Sequence, residues 1–262
     1  MEMISSGNFN FAIQVCKQIF EQFGLVRKLP LSLKICNYYP LPVYHTSEAQ
    51  LPISFQSPLQ LRAAMLDFWQ LYARKRREPE YGINPIEYLN FMLENEMLFG
   101  WTFENLNEEY PEEPHIIGIC DMRENMILLD NKLKDGNELW RRRSFTIVHE
   151  IAHWVLHKPL YDSLCKMDEE PSCHTIVCRS KDVGLNLYHD HQSRLDAKIR
   201  MEWQANTGGS VLLFPPHKIK RFARDFRQML REDKRCFIEQ CALLFHASLQ
   251  ATEIALRQHG II

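Results

Sequence analysis

No run of the chain approaches the roughly 18 consecutive apolar residues that a membrane-spanning helix requires, so a bilayer-embedded protein is not expected. The opening residues, MEMISSGNFNFAIQVCKQIF, lack the basic flank and long apolar core of a secretory leader, which makes a cytoplasmic location the expectation. Eight cysteines stand at 16, 36, 120, 165, 173, 178, 236 and 241, yet no two form a CxxC pair. They read as buried small hydrophobes or thiols rather than as a disulfide framework. Internal repeats and low-complexity tracts are absent, which excludes solenoid and fibrous architectures. Charge imbalance is small: a formal net charge of -2 gives no global sign of a nucleic-acid or membrane partner.

What is present is an ordinary globular composition, 45% hydrophobic and 24% charged, over 262 residues. Apolar spacing predicts a helix over 8–24, then a proline-rich irregular connector over 28–58. A helix is expected from Ser57 or Pro58 to about Arg77, with cations at its C-terminal end complementing the helix dipole. Another is expected over 84–98, with Asn84 as cap and Pro85 at the first helical position. Two β-type segments follow, Ile116–Cys120 and Met126–Asp130, flanking the turn-forming DMREN. A polar link then leads into the apolar-periodic helix LWRRRSFTIVHEIAHWVLH. Residues 158–198 read as polar and turn-prone. A second helix runs from about Arg194 to Leu213, Pro215 and Pro216 break the chain, and 217–262 is helical in pattern.

The chemistry concentrates at His149-Glu150-Ile151-Ala152-His153. Histidines four residues apart lie on one helix face, roughly 6 Å apart along the axis. At that spacing both imidazoles can converge on one zinc ion at about 2.0–2.1 Å. Glu150 lies about 100° round the helix, where it cannot share that position but can act as general base on a water beside the ion. The pattern alone is only a motif match. Its context strengthens it, because titratable groups inside an apolar helix are costly to bury without a partner such as a metal.

A catalytic zinc takes a third protein ligand and keeps one position open. The candidates are His157, Glu202 and the histidines and cysteines of 165–191. His157 lies about 12 Å along the axis from His149, too far to share its ion on a straight helix, and reads as a packing or hydrogen-bonding residue. Glu202 is favoured. It sits in the second helix, where Ala205, Gly208 and Gly209 allow close approach to the first. The spacing Cys165-x7-Cys173-His174-x3-Cys178, with His189 and His191, matches none of the usual structural-zinc patterns, so a second metal site there is the lesser reading.

FTIVHEIAHWVLH followed by EWQAN-x5-LLFP resembles the ImmA/IrrE family of bacterial and phage metallopeptidases over about 115–217. IIGIC and MILLDN fit the strands before the motif. The resemblance implies an α+β fold with a gluzincin-like zinc peptidase core. It implies His149, His153 and Glu202 as metal ligands and Glu150 as catalytic base. His157 and Asn206 become candidates to support the ligands. Zinc is the expected ion, with manganese an alternative in vitro. The chain then divides into an N-terminal helical or irregular segment (1–80), a peptidase core (81–217) with an insertion at 158–198, and a C-terminal helix-turn-helix-like segment (218–262). Two departures stand out: the gap between His153 and Glu202 is long, and TGGS replaces a bulkier stretch.

The function implied is site-specific cleavage of a helix-turn-helix transcriptional repressor in a stress, phage or mobile-element response. The alternatives are a non-catalytic zinc-containing regulator or binding module acting through its C-terminal helices, and a protease toxin or effector with another protein target. The segment 217–262 carries nine lysines and arginines against five acidic residues, so nucleic-acid contact through the tail is conceivable. Packing on the peptidase is the favoured reading, because TEIALRQH holds a single arginine.

Overall fold

The computed structural model describes residues 53–54, 56–109, 115–137, 139, 142–166, 175–179 and 197–262. The expected helix over 8–24, most of the 28–58 connector, and Cys173, His174, His189 and His191 lie outside the described residues.

Helix α1 (Pro58–Lys75) begins at a capping box, in which Ser57 accepts from the Gln60 backbone and the Gln60 side chain accepts from Ser57 N–H. Helix α2 (Pro85–Glu94) is capped by Asn84, which accepts from Ile86 N–H at 3.2 Å. It stops four residues short of the expected 98, because the chain turns at Asn95 and Glu96, the latter at φ 57. Strand β1 (Gly100–Glu104), which sequence reasoning missed, follows, and then the short helix α3 (Leu106–Glu109). Strands β2 (Ile116–Asp121) and β3 (Met126–Asp130), at the two expected β-type segments, form an antiparallel hairpin. The Asp121 carboxylate shapes its turn by accepting from the N–H groups of Arg123 and Glu124, both at 2.9 Å.

Helix α4 (Arg143–Lys166) carries the histidine motif and overturns part of the reading of 158–198. It continues nine residues past His157 and takes Pro159 into its interior. Packing outweighs the lost backbone bond there. Tyr161 is buried in an apolar cluster with Ile53, Cys120, Met122, Ile176 and Met201, and Lys158 pairs with Asp162 on the next turn. Strand β4 (Thr175–Arg179) lies within the same supposed insertion, and it pairs antiparallel with β2. The sheet order is β1-β3-β2-β4, with β1 parallel to β3. The segment is therefore in part core structure.

Helix α5 (Ala197–Leu213) packs along α4, and α6 (Pro216–Asp225), α7 (Arg227–Glu232), α8 (Lys234–Leu244) and α9 (Leu249–Gln258) complete the chain. Phe222, Phe237, Phe245 and Leu256 of this C-terminal part are fully buried in the same core as Ile147, Val148 and Ile151. Each such side chain contributes about 1.5–3 kcal/mol by leaving water. The architecture is α+β: mostly helices around one small sheet. Among the described residues no helix is long and apolar enough to cross a membrane.

Candidate metal centre

Two glycines let α5 press against the turn of α4 that carries His149. A methyl group on Gly209 would sit 3.1 Å from the Val148 carbonyl oxygen and 3.2 Å from His149 N. On Gly208 it would sit 3.3 Å from the Ala152 methyl. This contact is the role expected of Gly208 and Gly209. Glu202 and Asn206, one turn apart on α5, consequently meet the histidines of α4.

His149 Nε2 and His153 Nε2 are 3.0 Å apart. Glu202 Oε2 lies 3.1 Å from the first and its Oε1 3.4 Å from the second. His149 and His153 are wholly buried and Glu202 is 5% exposed. An ion held tetrahedrally at about 2.0–2.1 Å separates its ligand atoms by roughly 3.3 Å, which matches this triangle. These buried side chains are close enough to hold a metal ion.

Hydrogen bonds behind the ligands favour one placement of the ring protons. Gln204 Nε2 donates to the Ser54 carbonyl at 2.9 Å, so its Oε1 faces His157 Nε2 at 3.0 Å and accepts from it. Burial, and next the neighbouring His153, push His157 down to about 3, so its ring is neutral and its Nδ1 is bare. That atom, 3.1 Å from His153 Nδ1, accepts its proton. His153 therefore turns a bare Nε2 toward His149. On the other side Asn206 Oδ1 accepts from His149 Nδ1 at 3.0 Å, which leaves the Nε2 of His149 bare as well. Two imidazole lone pairs and a carboxylate thus converge, and neither Glu202 oxygen has a formed hydrogen bond. A cation at this point would satisfy all three.

The electrostatics agree. Burial alone would lower His149, but the close approach and charge of the Glu202 carboxylate raise it overall. Burial would raise Glu202, yet His153 and His149 hold its carboxyl well below the usual carboxylate range. A proton is the nearest substitute for the positive charge that this site lacks.

Glu150 is fully buried, and neither of its oxygens has a formed hydrogen bond. Burial pushes its carboxyl up to about 8, opposed first by His149, while Glu202 pushes the same way as burial. A nearby cation would return it to the carboxylate form. Its pocket exists because Gly118 of β2 has no side chain: a methyl there would sit 2.4 Å from Glu150 Oε1 and 3.0 Å from the Thr146 methyl carbon. Gly118→Ala is therefore expected to displace the Glu150 carboxylate while the triangle of His149, His153 and Glu202 keeps its affinity for a metal, which metal titration of the variant checks.

His149, Glu150, His153, Glu202, His157 and Asn206 all meet at one place, His157 and Asn206 as hydrogen-bond partners of the ligands. Sequence reasoning missed Gln204 and Gly118, and it placed Cys178 only among the metal-ligand candidates of 165–191. A glycine inside the apolar strand IIGIC is itself a signal of close approach. Gln204, within EWQAN, carried no signal of its own. Gln204→Leu leaves the tautomer of His157 unset, so metal affinity is expected to fall about 10–100-fold, read by competition with a chromogenic chelator.

No protein-family model matches the chain, and no curated protein matches it significantly. The chemistry is therefore read from these side chains.

Proposed function

We propose that the protein is a zinc-dependent endopeptidase. One observation carries the reading: buried ligand atoms of His149, His153 and Glu202 converge at 3.0–3.4 Å, with the buried carboxylate of Glu150 alongside. Zinc bound there would polarise the scissile carbonyl and acidify a water. Glu150 takes the proton of the attacking water and passes it to the departing amine nitrogen. His157, Gln204 and Asn206 hold His153 and His149 in the ligating tautomer throughout. Manganese, which accepts the same imidazole and carboxylate donors, is a workable substitute in vitro.

A metal kept only for structure has no use for Glu150. Burying a carboxylate is costly, and general-base catalysis gives that cost a purpose. The resemblance of FTIVHEIAHWVLH and EWQAN to the ImmA/IrrE peptidases supports a peptide substrate, and specifically a helix-turn-helix repressor. The tail's cations support a protein-facing role over a DNA-facing one. Arg221 pairs with Glu80 and Asp225, Arg235 with Glu239, and Arg257 with Glu253, which leaves less charge for a phosphate backbone.

The test mixes the zinc- or manganese-loaded chain with a helix-turn-helix repressor protein, taken from a neighbouring gene where one exists, and follows the products by mass spectrometry. One discrete cut, lost on chelation, is expected. An intact repressor, or a ragged digest, counts against the substrate assignment.

A further inference from the structure

We infer that the chain holds a second set of ligands for the same ion, formed by His149, Glu150 and Cys178, in which the ion rests in an inactive station. The inference builds on the reading of His149, His153 and Glu202 as a metal centre.

Cys178 reaches the site through the sheet. In the β2–β4 ladder it is the partner of Gly118, and directly opposed residues share a face. The missing side chain of Gly118 faces Glu150, so Cys178 faces α4 too. Cys178 is a reduced, fully buried cysteine. Donor atoms of His149, Glu150 and Cys178 all lie within 4.8 Å of one another, as do those of His149, His153 and Glu202. Glu150 brings two buried oxygens to this second cluster, where the Cys178 thiol interacts with its carboxyl and holds it lower than burial alone would.

The two sets share His149, and that sharing makes them exclusive. His149 Nδ1 is engaged with Asn206, so Nε2 alone can ligate, and it binds one ion at a time. In the first set Glu150 stays outside the coordination sphere and can accept a proton. In the second it is itself a ligand and can accept none. Cys178 loses its thiol proton to solvent as it binds, and the thiolate takes the place a water would need. Thiolate prefers softer ions, so zinc, cobalt and cadmium populate the second station more than manganese does. β4, drawn from the segment that lengthens the gap between His153 and Glu202, is thus a built-in means of holding the ion out of use.

Cobalt alone is the probe. The full chain, freed of metal and titrated with Co²⁺, is expected to bind about one ion with a thiolate-to-cobalt charge-transfer band in the near ultraviolet. Cys178→Ser and Cys178→Ala are each expected to bind the ion without that band, and zinc-supported cleavage is expected to rise several-fold relative to manganese-supported cleavage. A wild-type spectrum with one bound ion and no thiolate band overturns the inference while leaving the metal centre intact. A band that persists in both variants assigns the sulfur elsewhere and overturns it equally. Failure to bind cobalt at all overturns both readings.

Discussion

Glu150→Gln is expected to retain its metal in full and to lose peptide-bond cleavage by about 10²–10⁴-fold, the range that a positioned general base supplies. Glutamine has the shape of glutamate, so it fits the pocket that Gly118 leaves open against β2. It contributes nothing to the triangle of His149, His153 and Glu202, so metal content should not change. What it cannot do is accept a proton. The fold should also tolerate the change, because the carboxyl it removes is one that burial pushes up to about 8. The decisive comparison is cleavage rate and metal content on the same preparation. Cleavage at the wild-type rate removes Glu150 from the mechanism, whereas loss of metal along with activity makes it a ligand in the working site.

Chelation of the wild-type chain should lower its melting temperature by about 5–11 °C. An ion present at 100 times its dissociation constant stabilises the form that binds it by about 2.7 kcal/mol. For chains of this size each kcal/mol corresponds to about 2–4 °C. The cause is local: without an ion, two imidazole lone pairs 3.0 Å apart and a carboxylate face one another in the core. The control is Glu202→Gln, which cannot supply the anionic ligand and should melt at nearly the same temperature with or without chelator. Differential scanning calorimetry of both proteins, with and without chelator, reads the effect. An identical wild-type melting curve in the two conditions would contradict a bound ion.

The site was legible where local geometry decides. Helical rise alone places His149 and His153 on one face and keeps His157 off their ion, and His157 instead hydrogen-bonds His153 from behind. Glycines at 208 and 209 announced the close contact with α4 that puts Glu202 in range. Legibility failed where long-range packing decides. Thr175–Arg179 offers only Ile176, Val177 and Cys178 as apolar positions, too short a run to stand out from polar surroundings until β2 supplies a partner edge. Pro159 reads as a helix stop, and the burial of Tyr161 carries the helix through it. β1 is half-buried at every position, so it shows no alternation to detect. Gln204 matters only through a hydrogen bond to the Ser54 backbone carbonyl, a link that no spacing rule within one helix can anticipate.

The central claim is that His149, His153 and Glu202 together hold one metal ion, and elemental analysis after zinc loading and desalting tests it most directly. The wild-type chain is expected to retain about one zinc per chain, with His149→Ala, His153→Ala and Glu202→Ala each retaining little or none while still folding. A folded wild-type chain that retains no zinc, or variants that retain as much as the wild type, would contradict it.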